Sequence, residues 1–179
     1  MDNINQVPIN NKVGLSFELG LKKILRQEPD IIFIGEIRDK FSLDIALQAS
    51  LTGHLVLASI HASSSVETIT RLIDLKADPF LISTTLKAVM AQRLVLAHCK
   101  SCENGCKKCN FTKFYDRTSI SEILKVDEQI SSLIFNKASF NELKEYLKNI
   151  NFKTMLDDGK QKVKDGLTTL EEVYKVVNF

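Results

Sequence analysis

Two spacings of apolar residues alternate along the first half of the chain. Leu15, Leu19 and Ile24 recur at helical intervals in a segment that must end by Glu28, because Pro29 disfavours helical geometry in the residue before it. Ile31, Ile32, Phe33 and Ile34 then form a short, largely β-branched apolar run closed by Gly35, which predicts a strand buried on both faces. Helical spacing returns at Leu43, Ala46, Leu47 and Ser50, in a segment starting at Ser42 and stopping at Thr52-Gly53. Residues 55–60 predict a second strand, and Val66, Ile69, Leu72 and Ile73 share one face of a helix. After Asp78-Pro79 a further helix is expected through Leu81, Thr85 and Val89. Helix, strand, helix, strand, helix is an α/β layout with a parallel sheet.

The pattern changes after residue 98. Residues 99–109 are short, polar and Lys-rich, residues 117–126 alternate like a strand, and the remainder reads as amphipathic helices over 128–136, 139–149, 154–165 and 168–177. Thr168 and Thr169 are candidate caps of the last one. Three regions are therefore expected: an α/β part over 1–98, a cysteine element over 99–118 and a mostly helical part over 119–179.

Composition narrows the function classes. The 179 residues carry 24 Lys+Arg against 22 Asp+Glu, and a net charge of +2 argues for neither a nucleic-acid nor a membrane-surface partner. No apolar stretch approaches the ~20 residues a bilayer span needs. The N-terminus has no basic segment followed by an apolar one, so no secretory signal is read there and a cytoplasmic location is expected.

Glu36 follows the first strand directly. Ligands of open parallel sheets bind outside the carboxyl ends of the strands, so Glu36 stands where an acid of the Walker B type would act on water near a terminal phosphate and its Mg²⁺. The plainer alternative is a helix cap or an ion pair with Arg38. His54 begins the second strand and His61 follows its end. The extended residues between them span about 20 Å, so the two imidazoles cannot share a metal, and only His61 falls on the edge of Glu36. Each histidine has an ordinary structural reading as well. None of the seven glycines fits the phosphate-loop pattern, the nearest pair being Gly14 and Gly20, so this stretch of chain lacks the usual grip on β- and γ-phosphates.

Cys99, Cys102, Cys106 and Cys109 form two Cys-x-x-Cys units joined by three residues, with Gly105 available for a turn between them. Such a pair of units presents four thiolates to one tetrahedral Zn²⁺, in a structural rather than a catalytic site, since no general base lies nearby. Four free thiols are the alternative. Lys100, Lys107 and Lys108 soften the charge of such a centre and lack the interleaved aromatics of a nucleic-acid surface.

Longer runs carry a resemblance. LRQEPDIIFIGEIRD from Leu25, LQASLTGHLVLASIHASSS from Leu47, RLIDLKADPFLI from Arg71 and AQRLVLAHC from Ala91 closely resemble the secretion ATPases of type II secretion systems and type IV pilus assembly. That resemblance implies a partial RecA-like P-loop NTPase core over 1–98, a zinc knuckle and a C-terminal helical subdomain. It implies Glu36 as the Walker B glutamate, with Gly35, Arg38 and Asp39 in the same box, and His54 and His61 as the two His-box histidines, His61 being the phosphate-side one. It implies ATP and Mg²⁺ in the full motor, a homo-hexameric ring, and docking on platform proteins at the cytoplasmic face of the inner membrane. The tetracysteine element resembles the secretion and assembly branch rather than the retraction branch. Three departures are visible. The family's N-terminal half with its Walker A loop is absent, so the chain is expected to be the C-terminal part of a motor and inactive alone; the spacer between cysteine pairs is shorter than usual; and Ala62 replaces a common Thr. An expectation from a different class is a non-catalytic module that docks on the secretion platform.

Overall fold

The computed structural model describes residues 4–177; Met1–Asn3, part of the stretch read as lacking a secretory signal, and the last two residues lie outside the described residues. Helix α1 (Phe17–Ile24) starts at Ser16, whose hydroxyl accepts from the Leu19 amide, and ends ahead of Pro29 as expected. Strand β1 (Ile31–Ile34), helix α2 (Lys40–Leu51) and strand β2 (Leu55–Ala58) form one crossover unit. The two strands pair in parallel, Ile31 with Leu55 through Ile34 with Ala58. α2 ends where Gly53 takes φ of 100°, the left-handed turn that Thr52-Gly53 predicted.

Helices α3 (Ser65–Asp74) and α4 (Pro79–Thr85) follow, and the expected continuation of α4 through Val89 is wrong. From Ala88 the chain is a long strand, β3 (Ala88–His98), paired antiparallel with β4 (Phe114–Lys125). Val89, Ala91 and Val95 of β3 are buried, while Met90, Leu94 and Leu96 on the other face are exposed. Apolar residues on both faces hid the two-residue period that marks a strand. The second strand is also shorter than the 55–60 expected, although Ser59 still bonds across, its amide to the Ile34 carbonyl at 3.3 Å and its carbonyl to the Ile37 amide at 2.8 Å.

The burial of β1 needs correction too. Ile32 and Ile34 are 4% and 2% exposed, but Ile31 and Phe33 are 59% and 72% exposed, so only one face is covered. By register Leu55 and Leu57 share the bare face, and both are exposed. Among the described residues the helices pack on the other side alone.

Helices α5 (Glu128–Phe135), α6 (Phe140–Asn149), α7 (Met155–Lys164) and α8 (Leu170–Val177) complete the chain within a residue or two of their predicted bounds. Asp127, Ser139 and Thr154 cap the first three through their side chains. Thr169 accepts from the Glu172 amide, whereas the Thr168 hydroxyl donates to the Leu96 carbonyl at 2.7 Å and ties the tail to β3. The main core joins Ile32 and Ile34 of β1 to Leu43, Ile69 and Ile82 of α2–α4 and to Ile130, Ile134 and Leu143 of α5 and α6. A smaller one sits where Ala91, Val95 and Ile120 of the β3–β4 ribbon meet Met155 and Val173. Among the described residues no helix is long and apolar enough to cross a membrane.

Candidate functional site

Glu36 leaves the carboxyl end of β1 and His61 lies just past the carboxyl end of β2, which parallel pairing puts at one rim. His61 Nε2 is 2.7 Å from Glu36 Oε1, and Arg38 donates from Nε to Glu36 Oε2 at 2.6 Å, with its Nη2 2.5 Å from the same oxygen. Each carboxylate oxygen thus has a partner. The Glu36 side chain is 19% exposed and the His61 ring 84% exposed, so the carboxylate is partly shielded beneath an open imidazole. The Arg38 hydrogen bond, the largest influence, holds the Glu36 carboxyl below its ordinary range; desolvation opposes it, and the charges of Arg38, His61 and Arg71 add smaller contributions in the lowering direction. An acid held ionised in this way is suited to orienting water or a hydrated cation rather than to acting as a strong general base.

The remaining box residues sit differently. Asp39 caps α2, accepting from the Ser42 amide at 2.8 Å and the Ser42 hydroxyl at 2.9 Å, which hold its carboxyl low. Gly35 carries the carbonyl that receives the Ser59 hydroxyl, and a Cβ there would meet nothing within 4 Å. His54 is at the far end of β2, its Nδ1 3.0 Å from the Ala49 carbonyl and 3.2 Å from the Thr52 hydroxyl, where it fastens the end of α2. The structure therefore gathers Glu36, Arg38 and His61, puts Asp39 in the next turn and keeps His54 apart. Two shallow grooves flank α3, one along Glu67, Thr70, Arg71 and Asp74 and one around Lys76, Asp78 and Lys137; neither takes in the Glu36–His61 rim.

The four cysteines close the far end of the β3–β4 ribbon. Their sulfur atoms all lie within 4.8 Å of one another. Cys99–Cys106, Cys102–Cys109 and Cys106–Cys109 Sγ separations are 3.9, 3.6 and 3.9 Å. A tetrahedron of Zn–S bonds of about 2.3 Å has edges of about 3.8 Å, close to these three separations, so the donor set suits a zinc ion. The Cys106 amide donates to Cys109 Sγ at 3.2 Å and draws that thiol down to about 6, while burial pushes Cys102 up to about 12. One proton leaves readily and another is held, which is what four crowded thiols do until a dication balances them. Gly105 makes the short spacer possible: its φ is 100°, and a Cβ would come within 3.0 Å of the Phe111 backbone.

Glu122, Arg93 and Arg71 did not stand out in the sequence. Glu122 carried a signal all the same, because Ile120, Glu122 and Leu124 share one face of β4 and are 0%, 8% and 2% exposed. An acid in phase with buried positions of a strand needs partners. Its amide and hydroxyl donors come from Ser65 and Met155.

The chain is 41% identical over 182 residues to the type II secretion system protein HxcR of Pseudomonas aeruginosa, covering 97% of this chain and 39% of that one. It is 38% identical over 198 residues to the type IV pilus assembly ATPase PilB of Thermus thermophilus, covering 95% of this chain and 22% of that one. It thus spans well under half the length of these relatives. Among solved structures, the pilus retraction motor PilT with bound ADP superposes with a TM-score of 0.71 at 28% identity, covering 90% of this chain and 43% of that one. The ATPase DotB of Legionella pneumophila, at 24% identity and a TM-score of 0.72, covers 99% of this chain and 48% of that one, and shows the shared α/β fold. The family model for type II/IV secretion system proteins matches residues 1–175, and the chain belongs to that family.

Proposed function

We propose that this chain is the C-terminal part of a motor ATPase for type II secretion or type IV pilus assembly, with residues 1–98 as part of a RecA-like core, 99–118 as a zinc knuckle and 119–179 as a helical subdomain. The observation that carries this reading is the 2.7 Å contact between Glu36 and His61 at one rim of the parallel strand pair. In the motor, the ionised Glu36 carboxylate orients the attacking water toward the γ-phosphate. His61, open to solvent above it, meets the phosphate or the water and reports its departure. Arg38 keeps Glu36 charged and aimed. Mg²⁺ arriving with ATP would supply neutralisation of the phosphate charge, beside the Glu36 carboxylate. His54 and Asp39 contribute by holding the two ends of α2. Cys99, Cys102, Cys106 and Cys109 hold a structural zinc. A homo-hexameric ring, a cytoplasmic location against the inner membrane and docking on its platform proteins belong to the same reading and rest on family likeness.

The glycine pattern supports the view that this stretch alone turns over ATP poorly, so the test transplants it. In a chimera of the Thermus thermophilus PilB ATPase whose matching segment is replaced by this chain, ATP hydrolysis is expected, and E36Q should lower kcat by about 100-fold or more with little change in KM. A folded, nucleotide-binding chimera whose turnover ignores E36Q overturns the assignment.

A further inference from the structure

Glu122 is a buried acid that the proposed chemistry does not use. It is 8% exposed, in the middle of β4, and accepts three hydrogen bonds. Oε1 takes the Ser65 amide and the Ser65 hydroxyl, both at 2.7 Å, and Oε2 takes the Met155 amide at 3.0 Å. Ser65 opens α3 and Met155 opens α7, so one carboxylate bridges the positive ends of two helices from different halves of the chain.

Both amides are first-turn helix donors that the helices' own caps leave free, so Glu122 supplements those caps. α3 already has Ser64, whose hydroxyl accepts the Glu67 amide at 3.1 Å, and α7 already has Thr154, which accepts the Asp157 amide at 3.3 Å. Beyond capping, a carboxylate shared by both helices is a link between them. α7 is fixed to β4 elsewhere as well, by Asp158 accepting from the Ser121 amide at 2.8 Å and by Lys162 donating to the Ser119 carbonyl at 2.5 Å. On the other side of Glu122, Ser65 is four residues from His61. The segment between them is gripped by the same ribbon a second time, through Arg93 Nη2 and the Ala62 carbonyl at 3.4 Å, and Ser63 bonds internally to Glu67. A segment so short, anchored at Ala62 and Ser65, leaves His61 little freedom in where it meets Glu36.

We propose that Glu122 is a positioning residue for His61, tying the segment that presents the imidazole to the base of α7, so that movement of the helical subdomain alters the Glu36–His61 contact. This rests on the reading of the rim given above. The carboxylate is needed because all three partners are donors: a glutamine would turn its own NH₂ toward one of them.

The test is a double-mutant cycle read on the imidazole of His61 in the ¹⁵N-histidine-labelled chain, which has three histidines. In the otherwise unchanged protein, E36Q should shift the His61 ring nitrogens. In an E122Q background that shift should fall to about a third or less, the sign of two coupled sites, and S65A, which removes only the hydroxyl bond, should reduce it partway. Circular dichroism checks that each variant is folded; should E122Q unfold, S65A carries the test alone. An E36Q shift of undiminished size in S65A and in any folded E122Q overturns the proposal. No E36Q effect in the parent chain overturns the rim contact and the proposal with it. Because no nucleotide is present, failure of the ATPase reading would leave the cycle fully readable, so the two failures are distinct.

Discussion

The two strand pairs of this chain are built alike at their ends and unlike along their lengths. β1 and β2 are parallel, four residues each, and leave Ile31, Phe33, Leu55 and Leu57 uncovered, with Glu36 and His61 beyond their carboxyl ends. β3 and β4 are antiparallel, 11 and 12 residues long, and end in four sulfur atoms that need nothing from elsewhere. A knuckle whose donors all fall within residues 99–109 completes itself. The rim depends on two segments some 25 residues apart, beside a sheet face that this chain leaves bare. The cysteine element is thus a closed local unit, and the rim is assembled from separate segments of the chain.

If that contrast holds, removing metal from the closed end should produce the largest effect. Zinc at a thousandfold over its Kd contributes ~4 kcal/mol, so a tight chelator should lower the melting temperature by roughly 8–16 °C for a chain of this size. Elemental analysis should find one zinc per chain before treatment. Hydrogen exchange should rise across residues 99–113 while the middle of β3 stays protected; equal deprotection of β1 and β2 would mean that the two ends are not independent. A smaller effect should separate neighbouring residues of β1. Ile34 is 2% exposed and Phe33 72% exposed. Ile34→Ala should cost about 3 kcal/mol in urea unfolding, whereas Phe33→Ala should stay within about 0.5 kcal/mol. Equal costs would show that the face bearing Phe33 is covered in solution.

How much of this was legible depended on how local each feature is. The cysteine cluster and the caps at Ser139 and Thr154 are set by residues a few positions apart, and the pattern alone identified the cysteines and the helices that follow them. Glu36 and His61 were legible as strand-end residues because parallel pairing fixes which ends share a rim. β3 was not, since Met90, Leu94 and Leu96 fill the face that polar residues would normally mark. The buried-on-both-faces reading of β1 failed for the same physical reason in reverse: an apolar run reports that a face is fit to be covered, not that this stretch of chain covers it. Glu122 was missed because its two partners, Ser65 and Met155, lie 57 and 33 residues away, and no local spacing encodes such a bridge.

The smallest effect is expected at Arg38, and it bears most directly on the open rim. The guanidinium is exposed, so the pair should add little to stability in salt, and Arg38→Ala should barely move the melting temperature. The carboxylate itself should respond. Because Glu36 is held below the ordinary range in the folded chain, its ionised contacts are fully present above that range and are lost only as pH falls through the depressed value. Without Arg38 the largest cause of the depression disappears, and the ¹³C titration of Glu36 should move upward, toward an unperturbed glutamate, so that protonation begins at a higher pH. His61 would still be 2.7 Å from the other oxygen. An unchanged titration would mean that Arg38 points elsewhere in solution, and that the rim is held by the histidine alone.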